Sequence, residues 1–563
     1  MKGEFNMVIV PNSKLYLLKS PLKLDNNNQI TFANATAQYN YFVSLPRLYY
    51  ENVTYIRKDN VLRFPTHKEA NDNLPTFEDL LTYNYVMYQN TSYKNKWFYA
   101  NITDVVYQND GMTEISIETD AFQTWQFDIV YKNSFIEREH VSDDTVGLHT
   151  IPEGLEHGPY ICNYYDEITN FKLDTSKIII GTTWLPSNTP NIQSAQIYGG
   201  VFSGVYYVAF DYTGVDAKNF ILALDGLGRG DAIVTIFMCP TALLGNLTGF
   251  TGTLHSYINN DDGSTSAHDF SISGYFVGND YGGKIVGTDT SITVQQTLNL
   301  YQPKNNKMYC YPYNYVLITN NCGSSAEFHY EDFNSNTATF SVVGTFGPGC
   351  SVKLFPKGYK KISDSVSNHP GWNDGIVSTK FPVCSWQNDS YVNWMTQQSV
   401  NVFTNQVGAG FNIAGMVLNS SEGTGNPASA YSGLYNQQAR YISERYQHAL
   451  VSPQSSGSIN SADIAWAFGE GNLAYYKMTI KAEYAKMCDD FLSQFGYKVN
   501  RLGIPNIHKR TYWDYMKTTS ANLEGDIPEK DMLQIRNLFD NGCTFWHDAT
   551  KFLDYSQNNS IIS

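Results

Sequence analysis

The chain predicts a mainly β, α+β fold, and three observations carry that prediction. Tyr (42) equals Gly (42) and outnumbers Lys and Arg together (38). Tyrosine on that scale suits pleated, half-buried strands and large interfaces, where a ring needs one dry face and one wet end. Strand-like runs separated by turn residues recur through the first 390 residues, with period-two alternation at Ile115 and Ile117. Helical spacing of three and four is clearest near the C-terminus, in two stripes. A length of 563 residues predicts three to four domains with real cores.

Residues 1 to about 140 are expected to be β with short helices. Thr76-Phe-Glu-Asp79 has capping-box spacing ahead of Leu80 and Leu81, with Asp in the place of the usual Glu. Asn101 to Tyr107 and Met112 to Thr119 flank Asn109-Asp110-Gly111, whose Asp-Gly pair marks a hairpin turn. Ile115 and Ile117 alternate with polar residues on the second arm, and Asp120 to Phe127 follows as a short helix.

From about 145 to 390 strands and turns dominate, with one helix at Asp216 to Leu224. The glycines of Asp225-Gly-Leu-Gly-Arg-Gly-Asp231 follow that helix and precede a strand, Ala232 to Met238. A dinucleotide-binding loop has the opposite order, so a plain turn is expected. Arg229-Gly230-Asp231 and Ile258 to Gly263 are also expected to be turns, the latter lacking the closing Glu of a calcium loop. Near the C-terminus, Ile480, Tyr484, Met487, Phe491 and Phe495 form one helical stripe, stopped by Gly496. A second helix begins around Asp526 and Pro528, turns Met532, Ile535, Leu538 and Phe539 inward, and stops at Asn541-Gly542.

Charge and cysteine usage exclude several function classes. The net charge is −15, and Asn472 to Ser563 balances eleven basic against eleven acidic residues, so the first 471 residues carry the excess. An acidic surface does not neutralise phosphates, which argues against nucleic-acid binding but not against DNA passing nearby. Eight scattered cysteines include no C-x-x-C pair, so neither a zinc site nor a disulfide framework is expected. Cys239 and Cys310 are expected to be buried apolar residues. The opening apolar run, Met7 to Val10, is too short for a secretory signal. Glu137, Glu139 and His140 cluster, but alternation turns His140 away from the two glutamates, and ion pairing around Arg138 is the expected role. No HExxH motif or nucleophile elbow occurs, so no catalytic residues, metal or cofactor are assigned and the chain is not expected to be an enzyme.

One segment stands apart. Ser390 to Ser421 runs for 32 residues without a charge, and Val400 to Leu418 holds eleven apolar residues and three glycines. Asn401, Asn405, Gln406 and Asn412 make it a poor lone membrane span, because unpaired amides in lipid cost several kcal/mol together. In a bundle of copies the amides could face inward.

Blocks along the chain resemble the tail-knob (distal tail tube) proteins of small short-tailed bacteriophages that infect Gram-positive bacteria. They are Tyr93-Lys-Asn-Lys-Trp-Phe-Tyr-Ala100, Gln123-Thr-Trp-Gln-Phe-Asp-Ile129, Ser134-Phe-Ile-Glu-Arg-Glu-His140, Tyr311-Pro-Tyr-Asn-Tyr315, Lys481-Ala-Glu-Tyr484, Phe495-Gly-Tyr-Lys-Val-Asn-Arg501, Gly525-Asp-Ile527, Gln534-Ile-Arg-Asn-Leu-Phe-Asp-Asn-Gly542 and Trp546-His547. Departures concentrate between about 145 and 300. The resemblance implies a structural virion protein, assembled in the host cytoplasm as a homohexameric tube that closes the distal tail. Its partners would be other tail proteins (the collar side and appendages), phage DNA passing without specific binding, and transiently the host cytoplasmic membrane.

On that resemblance, 1–144 is an N-terminal tube domain, 145–389 a β-rich middle outside the tube, 390–471 a lumen-blocking or pore loop, and 472–563 the part completing the tube. The loop residues implied are Val400, Val402, Phe403, Val407, Gly408, Gly410, Phe411, Ile413, Gly415, Met416, Val417 and Leu418. Three readings of them stay open: a buried core helix, a plug that never meets lipid, and a plug that becomes a membrane pore. The rival function is binding of cell-wall glycan by the middle region through aromatics such as Trp184 and Trp372.

Overall fold

The computed structural model describes residues 13–53, 56–67, 74–89, 95–168, 171–185, 196–198, 201–202, 204–259, 264–278, 285–321, 323–335, 337–345, 350–360, 376–381, 386–387, 456–457 and 473–562. The fold is mainly β, as the sequence predicts. Two compact units are built from separated stretches of chain: Met1–Glu156, Pro303–Lys307 and Lys486–Ser563 in the first, His157–Gln302 and Met308–Ala485 in the second.

The first unit contains a six-stranded antiparallel sheet in the order β3 (Arg47–Val53), β1 (Ser13–Leu18), β5 (Tyr85–Gln89), β6 (Trp97–Asn109), β7 (Met112–Thr119), β4 (Val61–Pro65). The Asp-Gly hairpin forms where expected, with Asn109 opposite Met112, and β7 buries alternate residues including Ile115 and Ile117. Helix α1 (Ala35–Ser44) lays Phe42 on Tyr85 and Tyr99, with ring centroids 5.4 and 4.8 Å away. The short helix α2 (Phe77–Leu80) opens with the reciprocal Thr76–Asp79 capping box, and α3 (Ala121–Trp125) is capped by Asp120.

A five-stranded sheet in the same unit joins the two ends of the chain. Its order is β2 (Asn28–Ile30), β30 (Cys543–Trp546), β28 (Trp513–Thr519), β9 (Ser134–Glu139), β27 (Tyr497–Gly503). A two-stranded pair, β8 (Val130–Tyr131) with β29 (Leu523–Glu524), adds a second junction. Helix α6 (Glu529–Asn541) buries Met532, Ile535, Leu538 and Phe539 as predicted and ends at Gly542, whose φ of +91° suits glycine.

The second unit holds a seven-stranded sheet in the order β16 (Leu247–Asn259), β17 (Thr265–Val277), β14 (Tyr206–Asp211), β11 (Ser176–Thr182), β15 (Ile233–Pro240), β24 (Trp386–Gln387), β25 (Ser456–Gly457). Helix α4 (Val215–Gly226), at the predicted position, packs Phe220 and Leu224 into its core with Phe210 and Phe276. Two four-stranded sheets follow: β10 (Tyr160–Glu167), β26 (Ala474–Ile480), β19 (Asn314–Thr319), β20 (Ser325–Phe328); and β18 (Ile285–Thr293), β21 (Thr337–Thr345), β22 (Cys350–Lys357), β23 (Ile376–Phe381). The pair β12 (Gln196–Tyr198) and β13 (Val201–Phe202) completes the set.

One helical stripe needs correcting. Helix α5 (Ala482–Phe495) begins after Ile480, which lies in β26 because that backbone pairs with β10 and β19 on both sides. Met487 is 67% exposed, and the inward residues are instead Ala485, Cys488, Asp489 and Leu492, one position out of phase with the predicted stripe. The shift follows from Asp489, whose carboxylate accepts the backbone N–H groups of Lys304 (2.7 Å) and Asn305 (3.1 Å). A buried acid fixed by such bonds outweighs the apolar pattern in orienting a helix.

Gly496 joins α5 to β27 with φ +64°, and an added Cβ would lie 2.2 Å from the Glu139 carbonyl oxygen. Gly154 has φ +73° and no atom within 4 Å of the same position. Gly154→Ala should therefore cost about 1–2 kcal/mol of backbone strain alone, and Gly496→Ala clearly more because β9 must move. Urea unfolding of the two variants checks this; equal losses would contradict it.

Candidate functional site

The apolar positions Val400, Val402, Phe403, Val407, Gly408, Gly410, Phe411, Ile413, Gly415, Met416, Val417 and Leu418 lie outside the described residues. Trp372 does too, while Trp184 is packed against the core of the second unit. Among the described residues, no helix is long and apolar enough to cross a membrane.

A network of charged and polar side chains lies in the first unit, where blocks from both ends of the chain converge. Strand β9 runs between β27 and β28, and a register shift on each neighbour breaks its alternation. The break puts Glu139, not only Ser134 and Ile136, into the interior. Its carboxylate receives Arg501 Nε at 2.6 Å and the ammonium group of Lys509. Arg138 donates to the Gly496 carbonyl at 2.6 Å and pairs with Glu153, whose side chain is fully buried and also pairs with Lys307. Glu137 pairs with Lys517 at 2.9 Å. Ion pairing is thus the role of this cluster, as expected, although the two glutamates do not share one environment.

His140 follows directly. Its Nδ1 accepts the Tyr515 N–H at 2.7 Å and its Nε2 faces the Ser493 carbonyl at 3.1 Å, an arrangement for neutral imidazole. Burial holds its pKa down at about 4; the nearby Asp514 opposes this, while Arg510 and Lys509 add to it. Asp514 is itself buried, accepting the N–H groups of Lys509 (2.6 Å) and Arg510 (3.1 Å) beside His547 Nε2 (3.1 Å). His140 and the carboxylates of Glu139, Glu153 and Asp514 are buried away from any substrate, and the part-exposed Glu137 is engaged by Lys517, so the residues of this cluster are tied up in structural contacts.

A second polar group lies at Gln123. Its Nε2 donates to Gln29 Oε1 (2.9 Å) and the Ile30 carbonyl (2.8 Å), and Gln38 Nε2 donates to its carbonyl (2.8 Å). Desolvation raises the pKa of neighbouring Asp120 to about 6, offset in part by bonds from Gln123 and Tyr85. Sequence reasoning also missed Asp531, buried on α6, which accepts Trp125 Nε1 at 2.7 Å and pairs with Lys58. The signal was present: Asp531 sits in phase with Ile535 and Leu538 on the apolar stripe. A cavity of about 100 Å³ near Glu118, Phe122, Gln534 and Leu538 is smaller than the ~300–1,000 Å³ of a typical ligand pocket. Among the described residues no group of three His, Cys, Asp or Glu is placed to hold a metal ion.

The neutral His140 predicts a pH dependence. Its folded pKa lies below its ordinary 6.5, so its contribution is complete above pH 6.5 and is lost as pH falls toward 4. That amounts to roughly 3 kcal/mol. Asp120 acts with the opposite sign, being favoured when protonated below about pH 6. The comparison with His140→Gln isolates the histidine: urea unfolding should show the wild type losing more stability than H140Q between pH 6.5 and 4. Parallel pH profiles would refute the assignment.

The fold and its polar interior can be set beside known proteins. Residues 282–560 match the family described as Bacillus phage phi29 tail knob protein gp9, C-terminal domain, and residues 11–132 match the caudoviral major tail protein N-terminus. The tail knob protein gp9 of Bacillus phage PZA is 26% identical over 96% of this chain and 97% of its own length. The gp9 proteins of Bacillus phages phi29 and B103 are 26% and 25% identical over the same shares. The solved structure of the bacteriophage C1 tail knob protein, gp12, superposes with a TM-score of 0.63 at 14% identity, covering 98% of this chain and all of that one. These relatives are structural tail proteins rather than enzymes. Matched by tail-protein families toward both ends and aligned over nearly its whole length with tail knob proteins, the chain belongs to the bacteriophage tail knob family and is a structural component of the virion tail.

Proposed function

We propose that the chain assembles as a homohexameric tube at the distal end of the tail, conducts the genome without binding it, and uses 390–471 to plug the lumen and then breach the host membrane. In this reading 1–144 and 472–563 build the tube wall and 145–389 stands outside it. Other tail proteins, on the collar side and as appendages, contact it after assembly in the host cytoplasm.

The observation that supports a ring is the edge of the five-stranded sheet. Strand β27 has no strand on its outer side among the described residues. Its Leu502 lies opposite Phe135 of β9, so both side chains share one face, yet they are 72% and 42% exposed. Ile504, just beyond the strand, is 57% exposed. An open edge beside exposed apolar side chains favours association, and a closed ring of copies protects every such edge. Residues 1–144 hold 13 basic and 18 acidic residues and 472–563 hold 11 of each, so six copies give the wall about −30, a sign that disfavours adhesion of packaged DNA. The four amides between Asn401 and Asn412 suit six segments acting together, amides inward, better than one lone span.

Electron micrographs of the purified protein should show sixfold tubes, and Leu502→Asp should yield folded monomers; monomers from the wild type would sink the ring. The assembled protein should release dye from liposomes, and deletion of 396–418 should abolish the leak. Undiminished leakage after that deletion would remove the membrane role and leave at most the plug.

A further inference from the structure

We propose that β16 is a self-pairing edge through which two copies of this chain join about a two-fold axis at Gly252. The strand is the outermost of the seven-stranded sheet and pairs with β17 over 13 residues in unbroken register. Long regular edges are normally blunted by a charge, a proline or a bulge. Among the described edge strands longer than three residues, β16 alone has no Asp, Glu, Lys, Arg or Pro. β3, β4, β10, β18, β20, β23 and β27 each carry at least one.

The direction of its free backbone groups is fixed. The Gly278 N–H bonds to the Asn246 carbonyl, and these residues face each other at the end of the β16–β17 ladder. Even-numbered residues of β16 therefore turn their N–H and C=O groups to β17, and odd-numbered residues turn theirs outward. At Tyr257 the edge is closed, because Gly226 in the last turn of α4 lies directly against the Tyr257 carbonyl. Among the described residues no strand lies outside Gly249, Thr251, Thr253 and His255, which leaves them as an open ladder.

The occupant is argued from the pattern of the strand itself, which is self-complementary about Gly252. Antiparallel pairing centred there sets Thr251 opposite the partner's Thr253, and Gly249 opposite the partner's His255. All four have outward backbone groups, so the ladder closes in register. On one face Phe250 meets the partner's Leu254, and on the other the two threonines meet. Phe250 and Leu254 are only partly buried in the single chain, Phe250 stacking on Phe276 at 4.3 Å between ring centroids. Apolar and Thr–Thr cross-strand pairs are favourable, and no like charges oppose each other. At the axis Gly252 would face its own copy, and an added Cβ there meets no atom within 4 Å. A contact made by one strand per copy is small, so the dimer should be concentration-dependent.

The contact is independent of the proposed ring: it joins two monomers, or one ring to another. Gly252→Cys in full-length protein carrying Cys162→Ser, which removes an exposed thiol, should give a covalent dimer on mild oxidation. A non-hydrogen-bonded antiparallel pair brings Cα atoms to about 4.5 Å, within the span of a disulfide. Thr248→Cys in the same background should not link, since its counterpart lies far along the partner strand. Thr251→Lys should abolish the concentration-dependent doubling of mass while leaving any tubes intact. Adding Leu502→Asp to the Gly252→Cys variant should leave its covalent link in place. Failure of Gly252→Cys to link, equal linking by Thr248→Cys, or a doubling of mass that survives Thr251→Lys would overturn the two-fold contact without touching the ring.

Discussion

Glu139 is buried in the middle of the first unit, and its two cationic partners, Arg501 and Lys509, come from 362 and 370 residues further along the chain. A buried carboxylate without such partners is heavily penalised, and stripping one partner from a buried pair typically costs about 3–5 kcal/mol. Folding of the N-terminal part thus depends on the C-terminal part arriving. Glu153 imposes the same requirement through Arg138, Lys307 and the Lys498 N–H at 3.0 Å. Asp489 does so again with Lys304 and Asn305.

This constraint explains why the compact unit is made of three stretches rather than one. Segment 303–307 contributes no strand to the unit; it contributes Lys307, Asn305 and Asn306, which satisfy Glu153, Asp489 and Asp144. The backbone supplies the complementary half of the junction: β9 takes neighbours from the C-terminal region on both sides, and β2 pairs in parallel with β30. A segment lying between the two ends is therefore free to be long without disturbing the sheet. That freedom is what a segment such as 390–471 requires in the proposed tube.

Local chemistry was legible where it was decided locally. The Thr76 capping box, the Asn109-Asp110-Gly111 hairpin, the short helix after β7 and the Gly542 stop each depend on residues within a few positions of one another. Helix α5 was legible as a helix but not in its facing, because the buried face is set by Asp489 and its distant donors rather than by apolar residues alone. Likewise the alternation of Ser134 to His140 hid the shift that turns Glu139 inward, since a bulge is a property of two paired strands. Asp531 was readable as an acid on an apolar stripe, but its partners Trp125 and Lys58 were not.

The sequence by itself determined the class of the fold, the short-range elements, the acidic character, and, through blocks scattered over its length, the tail-knob kinship. Those features are encoded by residue type, spacing and order. Only the tertiary structure decided that both chain ends share one sheet, that the conspicuous Glu137–Glu139–His140 cluster is an ionic and hydrogen-bonded brace, and that β16 and β27 are open edges among the described residues. The reason is physical: which strand lies beside which, and which charges meet in the interior, depend on contacts hundreds of residues apart that no local pattern records.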